Sequence, residues 1–337
     1  MPLAAVTTDP LGWISISACL IVGFFLLTKG ADWLVGASSQ LAKRVGVSSL
    51  VIGLTVVALG TSAPEIVVST IAAADGKVAI SIGNVLGSNI ANIGLVLGMS
   101  ALILPDILHT KLTKRDGVWT FVALGLLWWV SSDHRIERWE AGLLLVGFVG
   151  YNAHLLFTGR EEILEEEAEH EGHYHHPVPL LLAGLVSILV GAKIVVVGAE
   201  SGALRLGISE AVIGLSIVAV GTSLPELAAG VGGALRGEGD LSVGNVVGSN
   251  IFNLLAVVGI AAMVHPFQPE NEPAEAARAL EHAFDRALGV DFYVVLGFSL
   301  AGLLLPFAGG ERGARTKGLF LLACYAGYIA WLYLGAR

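Results

Sequence analysis

Charge and sulfur are what this chain has least of. Only 14% of its 337 residues are charged, against about a quarter in a soluble globular chain. The two cysteines, Cys19 and Cys324, each lie inside an apolar segment, so they supply neither a disulfide framework nor a metal-ligand spacing. No basic patch with interleaved aromatics exists, which excludes nucleic acid as a partner. The net charge of −9 comes mainly from two loops. No nucleophile–base arrangement points to an enzyme, and nothing calls for a cofactor. The N-terminus lacks a basic n-region and a clear cleavage site, so its first hydrophobic segment reads as a retained helix rather than a signal peptide.

Apolar residues make up 55% of the chain and glycine is abundant; the mean hydropathy is +0.76. Segments such as "FVALGLLWWV" and "LLLAGLVSILVG" carry no charge, and about 20 mostly apolar residues suffice to span a bilayer. The expected fold is an all-α polytopic membrane protein. Ten transmembrane helices are expected, centred near 12–34, 46–73, 80–104, 117–132, 138–157, 178–200, 208–234, 242–265, 290–307 and 317–335. A central acidic and His-rich linker, 161–177, divides residues 1–160 from residues 178–337. A charged extramembrane insert at about 267–288 carries a short surface helix, from its Ala, Glu and Arg content. With Lys29 and Lys193 set inside long, tilted first and sixth helices, ten basic residues fall on the side of the central linker and seven opposite. That bias puts the linker in the cytoplasm and both termini outside an inner (plasma) membrane.

The chain repeats itself. "GLTVVALGTSAPE" (Gly53–Glu65) and "GLSIVAVGTSLPE" (Gly214–Glu226) agree at nine of 13 positions. "GNVLGSNIANI" (Gly83–Ile93) and "GNVVGSNIFNL" (Gly244–Leu254) agree at eight of 11. Both pairs share an offset of 161 residues. Glu65 belongs to the second expected span and Glu226 to the seventh. An odd number of crossings separates them, so the two five-helix repeats are inverted, an arrangement that places a transporter's binding site near the midplane.

A carboxylate at membrane depth is expensive and marks an ion pathway or a buried partner. Pro64 and Pro225 lack an N–H, so the carbonyls of Gly60 and Gly221 lose their helical donors. Bare acceptors at that depth are tolerated only where they line a cavity or are otherwise paired. Thr61 and Ala58 share a helical face with Glu65, and Ser62 adds a hydroxyl; Ser88 and Asn92, four apart, share a face in the next span. The second repeat supplies Ala219, Thr222, Ser223, Glu226, Ser249 and Asn253. The set is all oxygen, with two carboxylates to balance one divalent charge. Ca²⁺ takes six to eight such ligands, and Na⁺ accepts the same oxygens, so one site can exclude one ion while holding the other. Mg²⁺ prefers smaller octahedral sites, and Zn²⁺ or Cu⁺ would recruit His or Cys.

With "GTSAPE" and "GNVLGSNIAN", then "GTSLPE" and "GNVVGSNIFN", the chain resembles the sodium/calcium exchanger family within the calcium/cation antiporters. The resemblance runs through the whole ten-helix layout. It implies an electrogenic antiporter bringing several Na⁺ in for each Ca²⁺ expelled, without ATP. It also implies Ca²⁺ ligation by Glu65 and Glu226, and hydroxyl and backbone oxygens from Thr61 and Thr222. Ser62, Ser223, Ser88 and Ser249 match further family positions, as do the carbonyls of Ala58 and Ala219. Relatives often end the second motif in Asp, whereas this chain has Asn253. The site therefore has no third carboxylate, which leaves Na⁺ stoichiometry and K⁺ involvement open. The central linker is too short for large regulatory calcium-binding domains. The expected partners are inorganic cations and the lipid bilayer, with the chain acting as a monomer.

Two other readings stand beside this one. A proton-coupled Ca²⁺ antiporter would use the same carboxylates, although the surrounding hydroxyls suit Na⁺ better; a cation channel fits inverted, broken helices less well. Asn84 and Asn245 read as braces for the helix breaks. The histidines His170, His173, His175 and His176 read as part of a solvated linker, with metal or pH sensing as the other option. Gly30 and Gly191 are expected to permit sliding of the first and sixth helices, and Trp128, Trp129 and Trp331 to lie against lipid or its interface.

Overall fold

The structure, a computed structural model, describes residues 11–109, 114–158, 177–206, 219–305 and 314–335. The central linker with its histidines, the segment 207–218 and the ends of the chain lie outside these residues.

Each expected span overlaps a helical stretch. The first is α1 (Trp13–Val45). A bent pair follows, α2 (Ser49–Thr61) and α3 (Ala63–Ala74), with 44° between them. Next come α4 (Val78–Ile103), α5 (Lys114–Val130) and α6 (Arg138–Thr158). The second half runs through α7 (Pro177–Arg205), the short α8 (Ala219–Thr222) and α9 (Leu224–Leu235). It ends with α10 (Gly239–Val264), α11 (Ala274–Leu304) and α12 (Ala314–Gly335). Among the described residues, six helices are long and apolar enough to cross a membrane, or seven if the bent pair counts as one span. Of the remaining stretches, α5 has 17 residues, and α8 and α9 are short pieces of 4 and 12 residues.

Local chemistry sets the boundaries. Gly46 closes α1 in the left-handed region (φ 74°), where glycine carries no Cβ penalty, and the Ser48 hydroxyl accepts from the Val51 N–H to start α2. Pro64 and Pro225 sit in the first turns of α3 and α9, where a missing N–H is harmless. Both helices end alike. Gly76 (φ 71°) and Gly237 (φ 76°) occupy equivalent turns, and Lys77 N donates to Ala72 O as Glu238 N donates to Gly233 O, the six-to-one bond of a Schellman cap.

One expectation changes. The helix of the charged insert and the ninth span are one continuous helix, α11, rather than a surface helix followed by a separate span; residues 267–273 of the insert precede it. A π-helical turn, Ala287–Asp291, joins the amphipathic part, with Leu280 and Phe284 buried, to the apolar part. Asp291 is held there by Arg286 Nε at 3.1 Å and by the Tyr328 hydroxyl at 2.9 Å.

The halves are related by a local two-fold. A Cβ added at Gly23 would lie 3.0 Å from Gly191 O, and one at Gly191 2.9 Å from Gly23 O. The equivalent pair, Gly30 and Gly184, shows 2.8 Å both ways. Reciprocal contacts of this kind define a two-fold interface. Gly23 meets Gly191 while Gly30 meets Gly184, so the residue order reverses, and α1 and α7 run antiparallel. The Ser187 hydroxyl bonds Leu26 O between these crossings. Trp128, Trp129 and Trp331 are about half exposed on the outside, as expected for groups facing lipid or its interface.

Candidate cation site

The break between α2 and α3 turns on Ser62, whose backbone (φ −81°, ψ 6°) leaves the helical well. Ser223 (φ −89°, ψ 4°) does the same before α9. Ser62 N still reaches Ala58 O, and Ile66 N and Leu227 N restart the ladder on Ser62 O and Ser223 O. Pro64 offers no N–H to Gly60 O. The polar side chains of the motifs thus gather at two interrupted helix ends that belong to opposite repeats.

Thr61, Ser62, Glu65, Ser88, Asn92, Ser223, Glu226, Ser249 and Asn253 are all buried, as is Ala58; Thr222 is half-buried. The backbone of Ala219 opens α8. Hydrogen bonds link the repeats directly. The Ser62 hydroxyl donates to Glu226 Oε1 at 3.2 Å, and the Ser88 hydroxyl to Glu65 Oε1 at 3.3 Å. Ser88 lies 3.4 Å from the Ser223 hydroxyl and accepts from Asn253 Nδ2 at 3.2 Å. Thr61 lies 3.4 Å from Ser249 Oγ and the same distance from Ala58 O.

What these bonds leave over is more telling. Glu65 Oε2, Glu226 Oε2, Asn92 Oδ1 and Asn253 Oδ1 are buried with no hydrogen-bond partner among the described residues. A buried carboxylate oxygen without a partner is strongly unfavourable, and here there are two. Ion pairs such as Arg236–Asp32 and Arg286–Asp291 occur elsewhere. The unpaired atoms are all oxygens, which are hard ligands. Among the described residues, no group of three or more His, Cys, Asp or Glu side chains forms a metal site.

The comparisons with known proteins meet this geometry. The family model described as sodium/calcium exchanger protein matches residues 15–157 and 176–334. This chain belongs to the sodium/calcium exchanger family. The membrane protein MJ0091 of Methanocaldococcus jannaschii is 37% identical, over 94% of this chain and 97% of its own length. The sodium/calcium exchanger MaX1 of Methanosarcina acetivorans is 30% identical, over 93% of this chain and 97% of its own. Among solved structures, the sodium-calcium exchanger NCX_Mj soaked with Na⁺ and Ca²⁺ superposes with a TM-score of 0.76 at 33% identity, covering 95% of this chain and 99% of that one. As a member of the exchanger family, the chain is a helical membrane protein of the cation antiporter type.

Some of the exchanger's polar residues were legible only in part. Asn245 braces the break, accepting from the Thr61 hydroxyl at 3.1 Å and donating to Glu226 O at 3.5 Å. Asn84 instead donates to Ser69 Oγ at 3.0 Å. Asn89 and Asn250, buried beside the site, were missed: inside "GSN" they look like packing residues. The repeat itself was the available signal, since each occupies the same place in its copy. The π-helical turns that begin at Asn92 and Asn253 have no sequence marker, although such turns concentrate at functional sites.

Proposed function

We propose that this exchanger carries Na⁺ inward and Ca²⁺ outward by alternating access at one shared site. Glu65, Glu226, Asn92 and Asn253 supply side-chain ligands. Thr61, Thr222, Ser62, Ser223, Ser88 and Ser249 supply hydroxyls, and Ala58 and Ala219 supply backbone carbonyls. The observation that carries the reading is the set of four buried oxygens, two carboxylate and two amide, with no partner among the described residues. A Ca²⁺ ion would satisfy all four and balance both charges; Na⁺ ions at the same oxygens would do so in the other half of the cycle. The family, the name of MaX1 and the Na⁺- and Ca²⁺-soaked crystals of NCX_Mj support the choice of ions.

The two repeats, 1–160 and 178–337, are the units that exchange conformations, joined by the linker 161–177. The linker lies in the cytoplasm, in keeping with the excess of basic residues on its side. The test is Ca²⁺ uptake into proteoliposomes holding the purified chain and an outwardly directed Na⁺ gradient. Uptake should follow that gradient; uptake driven by a proton gradient alone would refute Na⁺ coupling.

A further inference from the structure

Asn89 and Asn250 are equivalent under the repeat and touch across it. Asn89 Nδ2 donates to Asn250 O at 3.3 Å, and Asn250 Nδ2 donates to Asn89 O at 3.4 Å. Their side-chain oxygens are engaged just as reciprocally. Asn250 Oδ1 accepts from Asn92 Nδ2 at 3.0 Å, and Asn89 Oδ1 accepts from Asn253 Nδ2 at 3.1 Å. All four amides are buried. An amide has two faces, one donating and one accepting, and the network around it decides which way each points. Here the NH₂ groups of Asn92 and Asn253 are drawn onto Asn250 and Asn89. The oxygens left over are the unpartnered Oδ1 atoms of the cation site.

We propose that Asn89 and Asn250 are positioning residues that lock the amides of Asn92 and Asn253 oxygen-first toward the cation. Without the lock, the Asn92 amide is free to turn its NH₂ inward and that of Asn253 is held only by Ser88 Oγ; a turned amide places positive hydrogens where a cation must sit. A divalent ion suffers more from that reversal than a monovalent one, because the interaction scales with ionic charge. The arrangement is its own image under the two-fold, so exchanging the conformations of the repeats leaves it unchanged. The Glu65 and Glu226 contacts lack that property: one Oε1 takes a hydroxyl from its own repeat and the other takes one from the opposite repeat. The four-asparagine cluster is therefore the stationary floor of the site, and the hydroxyls above it are what rearranges.

This inference rests on the reading of Glu65 and Glu226 as cation ligands, and the experiment separates the two. Ca²⁺ is titrated calorimetrically into the detergent-purified full chain, into Asn89→Leu and Asn250→Leu, and into Asn89→Asp, which keeps an acceptor for Asn253 Nδ2. Each leucine variant is expected to bind Ca²⁺ about tenfold more weakly, the scale of one net hydrogen bond. Na⁺ affinity, read by competition, should fall less. Asn89→Asp should stay within about threefold of the parent. Folded leucine variants with parental affinity would overturn the proposal, and so would an Asn89→Asp loss as large as that of Asn89→Leu. If leucine prevents folding, Asn89→Ala and Asn250→Ala carry the same expectation. Glu65→Gln is the separate control: if it still binds Ca²⁺ like the parent, the cation-site reading itself is wrong.

Discussion

Gly30 and Gly184 stand so close that a Cβ on either would lie 2.8 Å from the carbonyl oxygen of the other. Real Cβ atoms do not come that near to a backbone oxygen, so α1 and α7 would have to separate. The obstruction is backbone, which cannot swing aside as a flexible side chain does. At Gly184 the added atom would also meet Leu34 N at 2.6 Å. Gly30→Ala and Gly184→Ala are each expected to destabilise the chain by about 1–3 kcal/mol, the usual penalty of overpacking. Thermal unfolding in detergent reads this directly. Gly150→Ala, at an exposed position of α6, should leave the midpoint unchanged or raise it, since Ala is the better helix former.

The unpartnered carboxylate oxygens predict a stability response as well as a transport defect. Burying Glu65 and Glu226 without a counter-charge is unfavourable, so the cation should stabilise the fold by mass action, by about 2.7 kcal/mol at a hundredfold excess over its dissociation constant. Ca²⁺ is expected to raise the melting temperature of the parent protein. Glu65→Gln and Glu226→Gln should melt at or above the parent in chelator, show little or no shift with Ca²⁺, and transport none. A variant that keeps the Ca²⁺ shift would remove its glutamate from the site.

Asn253 tests the absence of a third carboxylate. Its Nδ2 donates to Ser88 Oγ and to Asn89 Oδ1; an ionised aspartate donates to neither and sets its oxygen against Asn89 Oδ1. A protonated aspartate restores one donor. Asn253→Asp is therefore expected to transport Ca²⁺ most nearly like the parent at low pH and to diverge from it as pH rises and the aspartate ionises. Uptake measured across a pH series, with the parent alongside, checks the sign. Parallel curves would mean that the donor role of Asn253 is dispensable.

How much of this was legible in the residues differs from one element to the next. Glu65, Thr61 and Ser62 announced themselves because polar groups beside a proline are rare in apolar segments, and a second copy at one constant offset excluded accident. Asn89 and Asn250 carried the same repeat signal, but nothing in their type says which way an amide turns; that emerges only when four of them meet. The π-helical turns at Asn92 and Asn253 come from packing, not from any residue that favours a wide turn. The fusion of the insert with the ninth span depends on Asp291 finding Arg286 and Tyr328. Tyr328 lies in a different helix, and no local pattern could foretell that partner.

The antiparallel relation of the repeats has its own direct test. Asp75 and Arg236 are equivalent under the offset of 161, lie next to the paired glycine turns at Gly76 and Gly237, and are both exposed. Inversion puts equivalent turns on opposite faces of the membrane; a parallel repeat would put them on the same face. In a background with Cys19 and Cys324 replaced, Asp75→Cys is expected to react with an impermeant thiol reagent from outside intact cells. Arg236→Cys should react only after the membrane is opened. The Arg236–Asp32 pair is exposed at 36% and 41%, and a pair that solvated contributes little, so its loss should not disturb the readout. Labelling of both from outside would make the repeats parallel; the reverse pattern would keep them inverted and turn the whole chain over in the membrane.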